Sequence, residues 1–451
     1  MEFGFVDAKN FSMLTDLYEL TMAQVYFEKS MNEEAVFEFF IRPTKNRPYF
    51  VMAGLEQLLY FLQHCRFGDS SIEYLRGSKK FSESFLEYLK HFRFSGDVWA
   101  VSEGEIIFAN EPLVTIKANL IEAQIIETFL INTLQYSILI ATKAARCKSV
   151  AQNTILVDFG LRRAHGMDAG LKAARSSYIA GFLGTSNVLA GKTYEIPIFG
   201  TMAHSFILAH ESELQAFKSF IQSYPDNAIL LVDTYDSIQG IKHAIEAVQE
   251  MGLQHFKGIR LDSGDLETLS KKARKLLDEA GFQDAIILAS GGINEYTIDA
   301  LLQRQSPIDA WGVGTELVVS ADVPYLDCAY KMVEYAGKPK MKLSSHKLTL
   351  PGQKQIFRKY SNNIFEEDIV DTFDSEYQGR IPLLKKWMEK GRLCRSYPEL
   401  PQIREYFQKS FQKIPTELKN IYNENPYIPK IGRKLKKEAQ SLQQSLKKEN
   451  V

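Results

Sequence analysis

Short apolar segments alternate with helical patterns from Thr154 to about residue 313, and this alternation constrains the fold more than any other feature. The predicted strands are residues 155–159, 196–199, 229–232, 257–261, 286–289 and 308–313. Helical patterns fall between most of them, for example at 237–251, 266–280 and 295–303. Repeated strand–helix alternation implies parallel strands joined by right-handed crossovers. We therefore predict an α/β fold with an irregular (β/α) barrel-like parallel domain over residues 136–325.

Chemically active residues follow nearly every predicted strand. In chain order they are Asp158, Arg162 and Arg163; Gly200, Thr201 and His204; Asp233 and Asp236; Arg260, Asp262 and Asp265; Ser290 and Gly291; and Gly314 and Thr315. Ligand-binding residues gather at the carboxyl ends of parallel strands. Six such clusters in register are hard to explain as turn or capping chemistry, so we predict one binding site along this edge.

The residue types in these clusters suit a phosphate-bearing ligand. Glycine turns expose backbone N–H groups, and arginine supplies a fork of donors matched to phosphate or carboxylate. Arg260 and Asp262 lie two apart on a predicted strand, so their side chains point the same way. A structural salt bridge is the alternative for that pair. His204 could act as a nucleophile, a base or a simple hydrogen-bond donor. These residues predict an enzyme that acts on a phosphorylated sugar and leave its reaction open.

Composition excludes several other classes. The formal net charge of the 451 residues is −1, which argues against a nucleic-acid partner. The four cysteines lie far apart, so neither a disulfide framework nor a zinc site is expected. The first residues show no secretory signal, and polar residues interrupt the apolar run at 121–142, which we interpret as a buried helix and not a membrane span. We predict a cytoplasmic protein without a membrane partner.

The flanking segments predict a second, α+β domain. Residues 1–135 form its N-terminal part, with a helix capped by Thr15 or Asp16, a strand at 35–40, helices within 54–93 and strands within 97–118. A helix over 121–150 leads into the barrel-like domain. Residues 326–451 are expected to pack back on the N-terminal part, through a hairpin turning at Gly337, a turn at 349–352, and then helices and charged loops. The basic tail from about residue 430 is interpreted as a solvated helix.

Eight segments resemble those of nicotinate phosphoribosyltransferases, in the right order between about residues 11 and 360. They are Leu14-Thr-Asp-Leu-Tyr18-Glu-Leu-Thr-Met-Ala-Gln, Phe159-Gly-Leu-Arg-Arg-Ala-His-Gly, Gly184-Thr-Ser-Asn-Val-Leu-Ala-Gly, Gly200-Thr-Met-Ala-His204-Ser-Phe, Gly258-Ile-Arg260-Leu-Asp-Ser-Gly-Asp-Leu, Gly312-Val-Gly-Thr315, Met341-Lys-Leu and Thr349-Leu-Pro-Gly. The resemblance implies the type II phosphoribosyltransferase fold. It also implies condensation of nicotinate with 5-phosphoribosyl 1-diphosphate (PRPP) to nicotinate mononucleotide and pyrophosphate, the first step of NAD salvage from nicotinate. Coupling to ATP hydrolysis through a phosphohistidine is a further implication.

The resemblance also implies roles for single residues. His204 matches the phosphohistidine; Tyr18, Thr201 and Arg260 match nicotinate-binding positions; Thr315 matches the PRPP position. We add Gly314, Ser290, Gly291, Arg162 and Arg163 as PRPP contacts. Asp262 is a second candidate catalytic residue, and Asp262 and Asp265 are candidates for holding ribose hydroxyls or Mg²⁺. The family's sites usually lie at a homodimer interface, so a homodimer is expected.

Two positions bear on substrate choice. Nicotinamide-using relatives carry an aspartate where this chain has Ser186, and an aspartate would repel a carboxylate, so Ser186 favours nicotinate. Ser290-Gly-Gly departs from the Ser-Asn-Asp of many close relatives, which removes side-chain donors at that turn. The alternatives are a nicotinamide- or quinolinate-using phosphoribosyltransferase, and a catalytically silent homologue that serves as a binding protein.

Overall fold

The computed structural model describes residues 6–343 and 349–449. Its α-helices are α1 Leu17–Glu28, α2 Leu55–His64, α3 Asp69–Gly77, α4 Glu83–Lys90, α5 Leu120–Ile125, α6 Glu127–Val150, α7 Met167–Ile179, α8 Val188–Tyr194, α9 His204–Leu208, α10 Glu213–Ser223, α11 Ser237–Glu250, α12 Leu266–Glu279, α13 Glu295–Gln303, α14 Thr315–Val318, α15 Leu400–Gln412, α16 Thr416–Lys419 and α17 Arg433–Glu449. Short 3₁₀ helices span Phe11–Met13 and Leu161–Arg163.

The strands are β1 Glu34–Ile41, β2 Phe50–Val51, β3 Asp97–Ala100, β4 Ile106–Ile107, β5 Val114–Asn119, β6 Ile155–Asp158, β7 Gly184–Thr185, β8 Ile229–Leu231, β9 Gly258–Leu261, β10 Ile286–Ser290, β11 Ala310–Val313, β12 Cys328–Tyr335, β13 Lys338–Pro339, β14 Lys354–Ser361, β15 Ile364–Thr372, β16 Ile381–Pro382, β17 Lys385–Glu389, β18 Arg392–Leu393 and β19 Lys430–Ile431. The chain divides into two compact units. Unit 1 combines Met1–Leu139 with Tyr325–Val451, and unit 2 is Ile140–Pro324.

Unit 2 contains a parallel sheet with the strand order β7-β6-β11-β10-β9-β8. Helices fall between successive strands, and α11 buries Ile241, Ala244 and Val248. This sheet confirms the predicted α/β class with parallel strands. Because all six strands run the same way, their carboxyl ends share one edge.

One predicted strand of this sheet was wrong. Residues 196–199 contribute a single bridge, from Ile198 to Thr185, and the edge strand is instead β7. Pro197 has no N–H group and cannot continue a ladder; only its carbonyl pairs, with the N–H of Thr185 at 3.1 Å. A Cβ on Gly184 would lie 2.1 Å from that carbonyl oxygen, so glycine permits the approach.

A buried charge cluster joins α6 to α13 within unit 2. Lys143 lies 2.5 Å and Arg146 2.9 Å from the carboxylate of Glu295, and Lys143 also contacts Asp322 at 2.8 Å. The side chains of Lys143, Arg146 and Glu295 are at most 1% exposed. Each charge has an opposite partner, which burial requires.

Unit 1 is built on an antiparallel sheet with the order β13-β12-β1-β5-β3-β17-β18. A second sheet has the order β16-β14-β15-β19, and β2 pairs with β4. The hairpin turning at Gly337 and the three helices within 54–93 are confirmed, and the basic tail forms α17. The expectation of helices and loops directly after residue 352 was wrong, because five strands, β14 to β18, lie between residues 354 and 393.

Two helix predictions also need correction. The helix expected over 121–150 is interrupted at Ile126, which separates α5 from α6. The apolar spacing of α1 predicts a buried stripe of Leu17, Leu20, Met22 and Val25, but of these only Leu20 is buried, together with Glu19 and Ala23. Leu17 and Val25 are about half exposed. No helix among the described residues is long and apolar enough to span a membrane.

Candidate functional site

An open cavity of about 490 Å³ lies in unit 2 at the carboxyl edge of the parallel sheet. Ten of the predicted site residues line it: Arg162, Arg163, Ser186, Thr201, Arg260, Asp262, Ser290, Gly291, Gly314 and Thr315. Phe159, Met202 and Gly312 are among the others. The strand ends therefore meet as predicted, although their roles in binding stay predictions.

The turn after β6 is held by Asp158. Its buried carboxylate accepts hydrogen bonds from the Thr185 hydroxyl at 2.7 Å and from the Gly160 N–H at 2.8 Å. Burial raises the pKa of Asp158, and these hydrogen bonds oppose the rise. The same turn presents Arg162 and Arg163, both exposed at the cavity wall and without an ion-pair partner among the described residues. Two cations are thus available to an anionic ligand.

Arg260 is the centre of a hydrogen-bond network inside the cavity. Its Nε donates to the Ser290 hydroxyl at 2.8 Å, and its Nη1 donates to the Thr201 hydroxyl at 3.1 Å and the Met202 carbonyl at 3.2 Å. Its Nη2 donates to Asp262 Oδ1 at 2.7 Å. The guanidinium also lies 5.6 Å from the ring centroid of Phe159. These contacts fix the planar fork before any ligand arrives.

The surroundings of Asp262 favour the ionised form of its carboxyl group. Burial would raise its pKa, but hydrogen bonds from Ser290 and Arg260 outweigh burial and hold the pKa below its ordinary value. Asp233 orients the backbone here, because its Oδ2 accepts the Asp262 N–H at 2.9 Å and the Ser263 hydroxyl at 2.6 Å. The sequence places Asp233 directly after a predicted strand but does not predict this role.

His204 is the first residue of α9 and is adjacent to Ala203, which lines the cavity. Its Nδ1 lies 3.1 Å from the Thr234 hydroxyl, and its Nε2 lies 3.9 Å from Asp262 Oδ2. The side chain is 42% exposed. The Thr234 contact engages Nδ1 and leaves Nε2 as the ring nitrogen that faces Asp262. Sequence reasoning missed Thr234, and its only signal was its place directly after Asp233.

Glycines shape the remaining wall. Gly291 and Gly292 have φ values of 83° and 66°, which disfavour other residues, and a Cβ on Gly291 would lie 2.1 Å from the Asp262 carbonyl oxygen. A Cβ on Gly312 would lie 2.4 Å from the Phe159 ring. The close approach therefore requires glycine at 291, whereas Gly292 meets no atom within 4 Å and is favoured only by its positive φ.

Asp265, His165 and Tyr18 are not among the residues that line the cavity. Asp265 caps α12: its carboxylate accepts the Thr268 hydroxyl at 2.6 Å and two backbone N–H groups. His165 is exposed on the turn after β6. Tyr18 belongs to unit 1, at the start of α1, and is 45% exposed. Burial and the Glu127 carboxylate raise the pKa of its hydroxyl. The predicted roles of Asp265 and Tyr18 stay predictions.

The part of the chain that the structure describes contains no group of three or more His, Cys, Asp or Glu side chains that could hold a metal ion. Mg²⁺ commonly binds through one or two carboxylates together with substrate phosphates. Asp262 is the carboxylate that lines this cavity.

Known proteins resemble the chain along most of its length. Models of the nicotinate phosphoribosyltransferase N-terminal domain, family and C-terminal domain match residues 13–135, 154–373 and 372–438. A nicotinate phosphoribosyltransferase of Mycobacterium tuberculosis is 46% identical over 413 residues, covering 91% of this chain and 89% of the relative. That of Bacillus subtilis is 41% identical over 462 residues, covering 95% and 94%.

Solved structures agree on the fold. Human nicotinic acid phosphoribosyltransferase superposes with a TM-score of 0.84 at 26% identity, covering 95% of this chain and 99% of the human chain. A nicotinate-nucleotide pyrophosphorylase from Pyrococcus furiosus gives 0.75 at 24% identity, covering 92% and 98%. Because family models match most of the sequence and two relatives are more than 40% identical to it, the chain belongs to the nicotinate phosphoribosyltransferase family.

Proposed function

We propose that this chain joins nicotinate to PRPP and releases pyrophosphate, which yields nicotinate mononucleotide for NAD salvage. The observation that carries the proposal is Arg260, a prearranged guanidinium in a cavity that also offers Arg162 and Arg163. One cation suits the carboxylate of nicotinate, and the other two suit phosphate groups. Ser186, also on the cavity wall, adds no negative charge that would repel the acid.

In the proposed reaction the pyridine nitrogen attacks the anomeric carbon of PRPP. A C–N bond forms, the C–O bond to pyrophosphate breaks, and pyrophosphate leaves with the electron pair. Arg260 would hold the nicotinate carboxylate beside Thr201, which orients the ring nitrogen toward the sugar. Thr315 and the N–H groups at Gly291 and Gly314 would bind phosphate oxygens. Mg²⁺ would enter on the pyrophosphate group and stabilise it as it leaves.

We further propose that ATP drives the reaction through His204. Attack of Nε2 on the γ-phosphorus would form an N–P bond and release ADP, and later attack by water would release phosphate. The Thr234 hydroxyl 3.1 Å from Nδ1 supports this assignment, because it leaves Nε2 as the reactive nitrogen. Asp262, ionised 3.9 Å away, would stabilise a protonated imidazole.

A homodimer is also proposed. Val188, Leu189 and Ile198, on and beside α8 in unit 2, are between 56% and 68% exposed. An exposed apolar cluster of this kind is typical of a protein–protein contact. Light scattering coupled to gel filtration should give twice the chain mass, and a mass of one chain would contradict the dimer.

A product assay tests the function. Nicotinate, nicotinamide and quinolinate are each supplied with PRPP and Mg²⁺, with and without ATP. We expect nicotinate mononucleotide from nicotinate, with a higher yield when ATP is present. Activity on nicotinamide or quinolinate alone, or on none of the three, would reject the proposal.

The His204→Ala variant tests the ATP step separately. ATP hydrolysis linked to product formation should disappear, whereas ATP-independent transfer should persist at a low rate. His165→Ala, an exposed histidine that is not among the cavity-lining residues, is the matched control and should keep the coupling. ATP hydrolysis in step with product formation in His204→Ala would show that another residue carries the phosphoryl group.

A further inference from the structure

Unit 1 has two adjoining cavities along one face of α15 that the proposed reaction does not use. The first, of about 420 Å³, is lined by Trp387, Arg395, Tyr397 and Ile403, among others. The second, of about 240 Å³, is lined by Tyr360, Lys409, Ser410 and Lys413, among others. Both are also lined by Ser102, Lys385 and Tyr406. We call these two cavities together the α15 groove.

Aromatic rings with fixed orientations form the first half of the α15 groove. The Trp387 indole N–H donates to the Ala100 carbonyl at 3.1 Å, and the Tyr397 hydroxyl donates to Glu103 at 2.6 Å. The two ring centroids are 5.1 Å apart. Because the polar tips are already bonded, the rings are held in place. The Trp387 ring is only 3% exposed and forms the back of the cavity, so Tyr397 and Tyr406 present the ring surface that a planar ligand could contact.

Cations surround these rings. The Arg395 guanidinium lies 5.3 Å from the Trp387 ring centroid, and Lys413 Nζ lies 5.0 Å from that of Tyr360. Lys385 and Arg395 form no ion pair with any described residue, whereas Lys409 pairs with Glu405 at 2.6 Å. The positive side chains are thus spread along both halves of the α15 groove.

The acidic residues of the α15 groove do not neutralise these cations. Glu103 and Glu105 are each 3% exposed. Glu103 accepts the backbone N–H of Leu55 at 3.2 Å, and Glu105 pairs with the buried Arg358 at 2.8 Å. With its carboxylates turned inward and its cations outward, the α15 groove complements an anion.

We propose that the α15 groove binds a nucleotide, with its heteroaromatic ring against Tyr397 and Tyr406, beside the buried Trp387, and its phosphate near Lys385 and Arg395. Ring stacking and charge-assisted phosphate contacts are the interactions that these side chains supply. The volumes suit a ligand of that size. None of the residues that line the α15 groove is assigned to the proposed reaction, and the proposal does not depend on that function.

Tryptophan fluorescence during titration with AMP tests the proposal. The chain has three tryptophans, so the signal of Trp387 can be isolated by comparison with Trp387→Phe. We expect a saturable change that is lost in Trp387→Phe. A change that persists in Trp387→Phe would place AMP elsewhere, and no change in the unaltered protein would overturn the proposal.

Variants that remove charge test the proposal independently, in case Trp387→Phe folds poorly. Lys385→Gln combined with Arg395→Gln alters exposed side chains only and should raise the Kd for AMP about tenfold or more. Lys437→Gln, an exposed lysine on α17, is the matched control and should leave the Kd unchanged. An unaltered Kd in the double variant would overturn the proposal.

Adenosine and inorganic phosphate separate the two parts of the ligand. Each alone should bind at least about tenfold more weakly than AMP, because each lacks one of the two contacts. Equal binding of adenosine would show that the cations contribute nothing. Equal binding of phosphate would reveal a simple anion site, and either result would reject a nucleotide site.

Discussion

Arg260→Lys should weaken the binding of nicotinate more than that of nicotinamide. A guanidinium has five N–H donors. Four of them are committed to Ser290, Thr201, Met202 and Asp262, at 2.7 to 3.2 Å. One N–H on Nη2 therefore remains for the substrate, and a single charge-assisted hydrogen bond to the carboxylate is the expected contact. That contact is worth about 1.5–3 kcal/mol, which corresponds to a rise in KM for nicotinate of about 10- to 150-fold.

Lysine keeps the positive charge but lacks the planar set of N–H donors that the guanidinium provides. Its ammonium cannot reach Ser290, Thr201 and Asp262 at once in the plane that the guanidinium occupies. Nicotinamide carries no charge for this group to recognise, so its KM should change less than about threefold. The ratio of kcat/KM for nicotinate to that for nicotinamide should fall accordingly.

Initial rates with both pyridines at saturating PRPP measure this ratio. The control is Arg274→Lys, which alters an arginine of α12 that bonds Asp278 and the carbonyl of Phe282 and is not among the cavity-lining residues. It should leave both KM values unchanged. If Arg260→Lys raised both KM values equally, or neither, Arg260 would not be the partner of the carboxylate.

Three further predictions concern the cavity wall and stability. Gly312→Ala should lower both kcat/KM and the urea midpoint, because its Cβ would overlap the Phe159 ring and overpacking costs about 1–3 kcal/mol. Gly200→Ala, on the same cavity, meets no atom within 4 Å and should preserve the midpoint. Equal midpoints of the two variants would contradict the packing argument. Burial raises the pKa of Glu19 from 4.5 to about 7, so its contribution to stability is fully present below pH 4.5 and is lost as pH rises through about 7. Across this range the free energy of unfolding of the wild type should fall by up to about 3 kcal/mol relative to that of Glu19→Gln. Parallel pH profiles of the two proteins would refute this. Glu295→Ala should lower the free energy of unfolding by about 3–5 kcal/mol, because it removes the carboxylate that two buried cations share, although Lys143 keeps Asp322. A loss below about 1 kcal/mol in urea titration would contradict this prediction.

The arrangement of the site could be predicted because parallel strands impose it. Once strand–helix alternation identifies the sheet, residues that follow each strand must lie on one edge, whatever their separation in sequence. Thr201 and Arg260 illustrate this, because they are 59 positions apart and hydrogen-bonded at 3.1 Å. Thr234 could not be predicted, because threonine after a strand is ordinary and its partner His204 is set by the loop conformation.

The strands after residue 352 escaped prediction because their charges are buried. Lys354, Arg358 and Asp368 give β14 and β15 the polarity of a solvated segment, yet each is at most 5% exposed. Lys354 pairs with Glu38 and Arg358 with Glu105, both far away in sequence. A local pattern cannot show such pairing. The sequence does contain one local signal of a hairpin, the pair Asn362-Asn363. These residues have φ values of 49° and 62° and form the tight turn between β14 and β15.

Asp262 links the two proposed chemical events. One of its oxygens is 2.7 Å from the arginine assigned to nicotinate, and the other is 3.9 Å from Nε2 of His204. A phosphoryl group on Nε2 would place a second anion beside this carboxylate, where repulsion between unit charges at about 4 Å amounts to roughly 1–4 kcal/mol. Mg²⁺ carried in on PRPP would be attracted by both anions and would relieve that repulsion. The proposed phosphohistidine should therefore tighten PRPP binding, and ATP would act on the transfer reaction through electrostatics at Asp262.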